Sequence, residues 1–152
     1  MTRTAVTVWT IGHSTHPIET FFGLLRGPGV RILADIRHYP TSRWPQFKQE
    51  ALRESLSREG IEYVHVAELG GYRKGGYPAF MKTEEFALGV ERLVGLAGTR
   101  RTAIMCAESV FFRCHRRHVA DALVSRGHEV IHIFPDGRTR VHALRTPIDD
   151  YT

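Results

Sequence analysis

The feature that most constrains this chain is a repeated switch between two hydrophobic periods. Val6-Thr7-Val8-Trp9-Thr10-Ile11 alternates apolar with polar residues and is rich in β-formers, which marks a strand. Pro17 then opens a segment in which Ile18, Phe21, Phe22 and Leu25 recur at helical spacing and share one face. The switch repeats along the chain. Further strands are expected from Val30 to Ile36, Ile61 to Val66, Thr102 to Ala107 and Glu129 to Phe134. Further helices are expected from Phe47 to Arg58, from the N-cap Thr83 to about Ala97, and from His115 to Arg126. After the tight turn Pro135-Asp136-Gly137, Arg140 to Leu144 is a candidate antiparallel return.

Strands that alternate with helices pair in parallel, and the helices cover both sheet faces. The expected fold is α/β: a three-layer sandwich with a mostly parallel sheet of about five strands and a candidate antiparallel C-terminal edge strand. A length of 152 residues fits one domain, and 145–152 reads as a loose tail.

Several function classes fall away. No apolar run approaches the roughly 20 residues that span a bilayer. The first 14 residues carry one arginine and an interrupted apolar stretch, unlike a signal peptide. A cytoplasmic location and no membrane partner are the expectations. The formal charge of +5 is scattered from Arg3 to Arg145 without a basic block. That disfavours a nucleic-acid tail and leaves a small anionic ligand or a nucleic acid as partner classes. Two cysteines in such a compartment are expected as free thiols. A bond between them would close a short loop, so it would be redox-active rather than structural.

In a parallel sheet, ligands gather at the carboxyl ends of the strands. The first four strands are followed by Gly12-His13-Ser14, by Asp35, Arg37 and His38, by Glu68-Leu69-Gly70-Gly71, and by Cys106 and Glu108. Cys114 stands at a helix start beside Arg113, His115 and Arg116, where the dipole and nearby cations favour thiolate. Cys114 is therefore the preferred nucleophile and Cys106 the second. Glu108 is a candidate general acid or base, or a salt-bridge partner of an arginine. Asp35 with Arg37 reads either as a structural ion pair or as an anion clamp that Arg43 could join.

Gly70 to Tyr77 reads as a mobile flap carrying Tyr72, Arg73, Lys74 and Tyr77. Cys106 and Arg113 have six residues between them, one too many for a cysteine-phosphatase loop. Cys114 and His118 share a helical face, and Cys106 and His13 could join them at a metal, but the spacings fit no standard zinc module. His128 and His142 read as surface or strand positions without a role.

The motifs Thr10-Ile11-Gly12-His13-Ser14, Asp35-Ile36-Arg37 with Pro40, Ser42-Arg43, Pro45-Gln46-Phe47, Glu68-Leu69-Gly70-Gly71, Met105-Cys106-Ala107-Glu108 and Cys114-His115-Arg116 resemble the family called domain of unknown function 488. The likeness runs in order from about Thr10 to Phe134. It implies one compact α/β domain and a single pocket holding His13, Ser14, Asp35, Arg37, Arg43, Glu68, Cys106, Glu108, Cys114, His115 and Arg116. It implies no activity. Two departures stand out: a shortened stretch between Ser42 and Pro45, and His118 where an apolar residue is expected.

Three functions follow as expectations. The first is an enzyme acting on an anionic small molecule, a nucleotide or phosphorylated metabolite. Cys114 or Cys106 would be its nucleophile or redox centre, and Glu108 with His13 or His115 would move protons. Ser14, Asp35, Arg37, Arg43, Glu68, Gly70, Gly71 and Arg116 would bind the substrate. The second is a non-catalytic module for nucleic acid or nucleotide. The third is a metalloprotein using Cys106 and Cys114. No organic cofactor is expected.

Overall fold

The computed structural model describes residues 4–108 and 114–144. The centre of the loop between the cysteines, 109–113 with Arg113, and the expected tail, 145–152, lie outside the described residues. The elements run β1 (Thr7–Gly12), α1 (Ile18–Arg26), β2 (Ile32–Asp35), α2 (Gln49–Arg58), β3 (Glu62–His65), α3 (Tyr77–Phe80), α4 (Glu84–Ala97), β4 (Thr102–Cys106), α5 (Arg116–Ser125), β5 (Glu129–Ile133) and β6 (Thr139–Val141). They form a six-stranded sheet in the order β3-β2-β4-β1-β5-β6. Each neighbouring pair is parallel except β5–β6, the antiparallel edge.

The alternating side chains of the strands divide into two cores. Ile11, Leu33, Tyr63 and Met105 pack with Phe21, Phe22 and Leu25 of α1 and Leu52 and Leu56 of α2. Val8, Ala34, Ile104 and Val130 pack on the other face with Phe86, Val90 and Leu93 of α4 and Val119 and Leu123 of α5. The cause is chain direction. From β1 to β2 to β3 the chain steps one way along the sheet, and from β3 to β4 to β5 it steps back. Right-handed crossovers then put α1 and α2 on one face and α4 and α5 on the other.

This topology fixes where a site can form. Beyond β4 the chain leaves toward the face of α5, while beyond its neighbours β1 and β2 it leaves toward the opposite face. A crevice therefore opens at the carboxyl end of β4, the geometry in which open α/β sheets bind ligands. The last residue of β4 is Cys106.

Candidate functional site

Backbone pairing carries the loops past the strand ends and aligns them on Cys106. The His13 N–H donates to the Cys106 carbonyl (2.9 Å), Ser14 N–H to Ala107 (2.9 Å), and Ile36 N–H to Met105 (3.0 Å). From the α5 side, His115 Nε2 meets the Ile36 carbonyl at 2.7 Å. This bond ties the helix start to the end of β2, and it brings Cys114 against Cys106 with their sulfurs 2.8 Å apart. Both cysteines are free.

The two thiols are unequal. Burial pushes Cys106 well above the ordinary thiol value, and its hydrogen bond to Cys114 adds to the rise. Burial also acts to raise Cys114, but the hydrogen bond from Cys106 and the Arg116 charge outweigh it and bring the group down to about 6. The Cys114 sulfur accepts from the backbone N–H and from Nε of Arg116, each at 3.3 Å. Arg116 is the first residue of α5, so its N–H is one of the donors a helix start leaves without an intrahelical partner. The arrangement is a thiolate on Cys114 receiving the proton of a neutral Cys106 thiol.

A cavity of about 680 Å³ opens over this pair. Arg37, His38, Tyr39 and Thr41 line it from the loop after β2, and Ala107 and Glu108 from the loop after β4. Gly71, Tyr72, Arg73 and Gly76 line it from the loop before α3 and Tyr77 from the first residue of α3, with His115 beside Cys114. Tyr39 and Tyr72 are largely exposed, with ring centroids 6.1 Å apart. Tyr72 holds φ at 56°, the left-handed region that non-glycine residues seldom enter. Because His115 Nε2–H serves Ile36, its Nδ1 keeps a lone pair. Burial holds His115 at about 4, hence neutral. A Cβ on Gly71 would stand 3.3 Å from that Nδ1, so glycine keeps this wall open.

The other expected site residues are placed as follows. Asp35 and Arg37 form a buried ion pair at 2.8 Å. Tyr63 donates to Asp35 at 2.5 Å, and Arg37 Nη1 donates to the Phe47 carbonyl at 2.7 Å. Arg37 reaches the cavity wall, but much of its donor capacity is taken by the fold. His13 is buried against Phe47, with ring centroids 4.4 Å apart, and does not line the cavity. Burial holds it at about 4. Ser14, with φ at 46°, shapes the turn after β1 and is also absent from the cavity wall.

Glu68 pairs with Arg92 at 3.1 Å, and Arg43 is exposed; neither lines the cavity. Gly70 is buried against His38, leaving Gly71 to face the opening. Glu108 is exposed, and its backbone carbonyl accepts from Arg116 Nη2 at 2.8 Å. Arg116, expected to orient a substrate anion, is 1 % exposed and faces the Cys114 sulfur instead.

The flap is shorter than expected. Tyr77 is buried, donates its hydroxyl to the Leu69 carbonyl (2.9 Å) and begins α3. Among the described residues no three His, Cys, Asp or Glu side chains converge to hold a metal. His118 stacks on Tyr77, with centroids 5.5 Å apart. His142, expected to have no role, is buried and bonded to His132 and Asp121. A single histidine just after a short edge strand carries no sequence signal of such partners.

Comparison with known proteins found one family. The profile described as "Domain of unknown function DUF488" matches residues 17–77 and 73–123. No curated protein and no solved structure matches the chain. No helix among the described residues is long and apolar enough to cross a membrane.

Proposed function

This chain belongs to the family Domain of unknown function DUF488, and we propose that it is a thiol-dependent enzyme performing thiol–disulfide exchange on a small molecule held over Cys114. One observation carries the reading: two free thiols 2.8 Å apart at the carboxyl end of a central strand, one favouring thiolate and the other held neutral.

Cys114 thiolate attacks one sulfur of a substrate disulfide. A bond forms between Cys114 and that sulfur while the substrate S–S bond breaks, and the leaving thiolate takes a proton from solvent. Cys114 is now uncharged, so the anion that helped to raise Cys106 is gone and the Arg116 charge remains. Cys106 gives up its proton and attacks the Cys114 sulfur. The second substrate half leaves as a thiolate and accepts that proton. The substrate disulfide is reduced to two thiols, and the protein dithiol is oxidised to the Cys106–Cys114 disulfide. An external dithiol returns the protein to its starting state.

The substrate is defined here by its sulfur electrophile rather than by a charge. Each guanidinium nitrogen of Arg116 and of Arg37 already donates to a protein group. The exposed Tyr39 and Tyr72 instead favour a ligand with a planar or apolar body.

The test uses reduced protein and 5,5′-dithiobis(2-nitrobenzoate), an aromatic disulfide. Wild-type protein should end as the intramolecular disulfide, with two thiols of reagent released. Cys106→Ser should stop at a stable mixed disulfide on Cys114, and Cys114→Ser should react far more slowly. A stable mixed disulfide on wild-type protein, or equal reactivity of Cys114→Ser, would overturn the proposal.

A further inference from the structure

Arg116 is a buried guanidinium that faces no carboxylate among the described residues; the anion it meets is the Cys114 sulfur. A buried charge so placed must be held accurately, since desolvation has removed the alternative of water. A line of hydrogen bonds leads from it away from the pocket. Arg116 Nη1 meets Thr10 Oγ1 at 3.1 Å, Thr10 Oγ1 meets His132 Nδ1 at 2.6 Å, and His132 Nε2 meets His142 Nδ1 at 2.9 Å. His142 Nε2 meets Asp121 Oδ1 at 2.6 Å.

We propose that Thr10, His132, His142 and Asp121 form a positioning relay that holds the Arg116 guanidinium on the Cys114 sulfur. The C-terminal hairpin thereby becomes part of the thiol site. The inference rests on the reading of Cys114 as the working thiolate.

The inventory of donors and acceptors gives the line one sense. A guanidinium can only donate and a carboxylate can only accept. Thr10 Oγ1 accepts from Arg116 at one end, and Asp121 Oδ1 accepts from His142 Nε2–H at the other. With one proton on each ring, His142 Nδ1 then accepts from His132 Nε2–H, and His132 Nδ1 accepts the Thr10 proton. Each bond polarises the next in the same direction, drawing the Thr10 proton outward and leaving its oxygen a better acceptor for Arg116.

The fold supplies the geometry. Thr10 and His132 are register partners on β1 and β5, so they point to the same sheet face. His142 follows β6, and its backbone N–H donates to the Val130 carbonyl at 2.8 Å. Arg116 and Asp121 both belong to α5, so one helix holds both ends of the line. Thr10, His132 and His142 are each at most 5 % exposed. A valine, leucine or phenylalanine at these places would fill the layer without satisfying any polar group.

A purely structural network would change stability alone, so the test reads Cys114. The pH dependence of iodoacetamide alkylation at Cys114, followed by peptide mass spectrometry, is measured in wild type, Thr10→Val, Thr10→Ser, His142→Gln and Asp121→Asn. Circular dichroism is the check on folding. Thr10→Val should move the Cys114 midpoint upward by about one pH unit, and so cut the rate about tenfold below both midpoints. Thr10→Ser, which keeps the hydroxyl, should restore the wild-type midpoint. Asp121→Asn lies at the partly exposed end and spares the core, so it decides the matter if Thr10→Val does not fold; it should give a smaller upward shift. Folded variants that all keep the wild-type midpoint would overturn the relay while leaving the thiol reading intact. A wild-type midpoint near the free-thiol value of about 8.5 would instead overturn the thiol reading, and the relay with it.

Discussion

Asp35 is 0 % exposed and bears a charge that neighbours within the fold must balance. Its two oxygens accept from Arg37 Nε, Nη2 and backbone N–H and from the Tyr63 hydroxyl. Asp35→Asn would leave Arg37 charged and buried, and a loss of about 3–5 kcal/mol is expected by urea denaturation. Tyr63→Phe removes one bond to a charged acceptor and should cost about 1.5–3 kcal/mol. Gly71→Ala tests the pocket wall instead. The new Cβ would press on a ring pinned to Ile36, so a bulky aromatic disulfide should react more slowly at Cys114 while iodoacetamide is little affected. Equal slowing of both reagents would contradict the role given to this wall. The sequence brings forward reactive residue types but not their tertiary partners. Arg37 and Arg116 carry the same guanidinium that would clamp an anion, and only the fold puts Asp35 beside one and the Cys114 sulfur beside the other.

At the scale of elements, periodicity makes the helices and strands legible, and cap chemistry makes one start legible too. Thr83 was expected to cap α4, and its hydroxyl accepts from the Phe86 N–H at 3.2 Å. Thr83→Ala should cost about 1 kcal/mol. The same helix offers a contrast between two glycines. A Cβ on Gly89 would lie 2.8 Å from Leu69 and 2.9 Å from Glu68, whereas one on Gly95 meets nothing within 4 Å. Gly89→Ala should therefore destabilise, and Gly95→Ala should stabilise by about 0.5–1 kcal/mol through helix propensity. Thermal melts of the two variants should move in opposite directions. Short elements were illegible for a physical reason. The 3₁₀ turns Pro45–Phe47 and Ala67–Leu69 and the four-residue α3 are too short to show a period. Packing on Tyr77 and Phe47 holds these segments rather than local propensity, which is why a glycine-rich stretch expected to be a mobile flap ends at a buried tyrosine.

For the whole molecule, the alternation of strand and helix was enough to imply a parallel three-layer sheet. It was not enough to give strand order, because which pair β4 enters between is a long-range outcome. That insertion brings the thiols to the crevice. Three histidines stay neutral in the fold, His13 and His132 buried and His115 on the cavity wall. Burial is the main cause that holds His13 and His115 at about 4 and His132 at about 2, against an ordinary 6.5. Well above pH 6.5 neither folded nor unfolded chain binds these protons, and the full stability is present. As pH falls toward 4 the unfolded chain takes up protons the folded chain refuses, so stability falls, by about 1–2 kcal/mol per histidine at pH 5. The urea midpoint should be lower at pH 5 than at pH 7. The most direct test of the central claim is site-resolved alkylation of reduced wild-type protein across the pH range. Cys114 should be modified with a midpoint at about 6 while Cys106 stays unmodified. Both cysteines reacting together with a common midpoint near about 8.5 would contradict it.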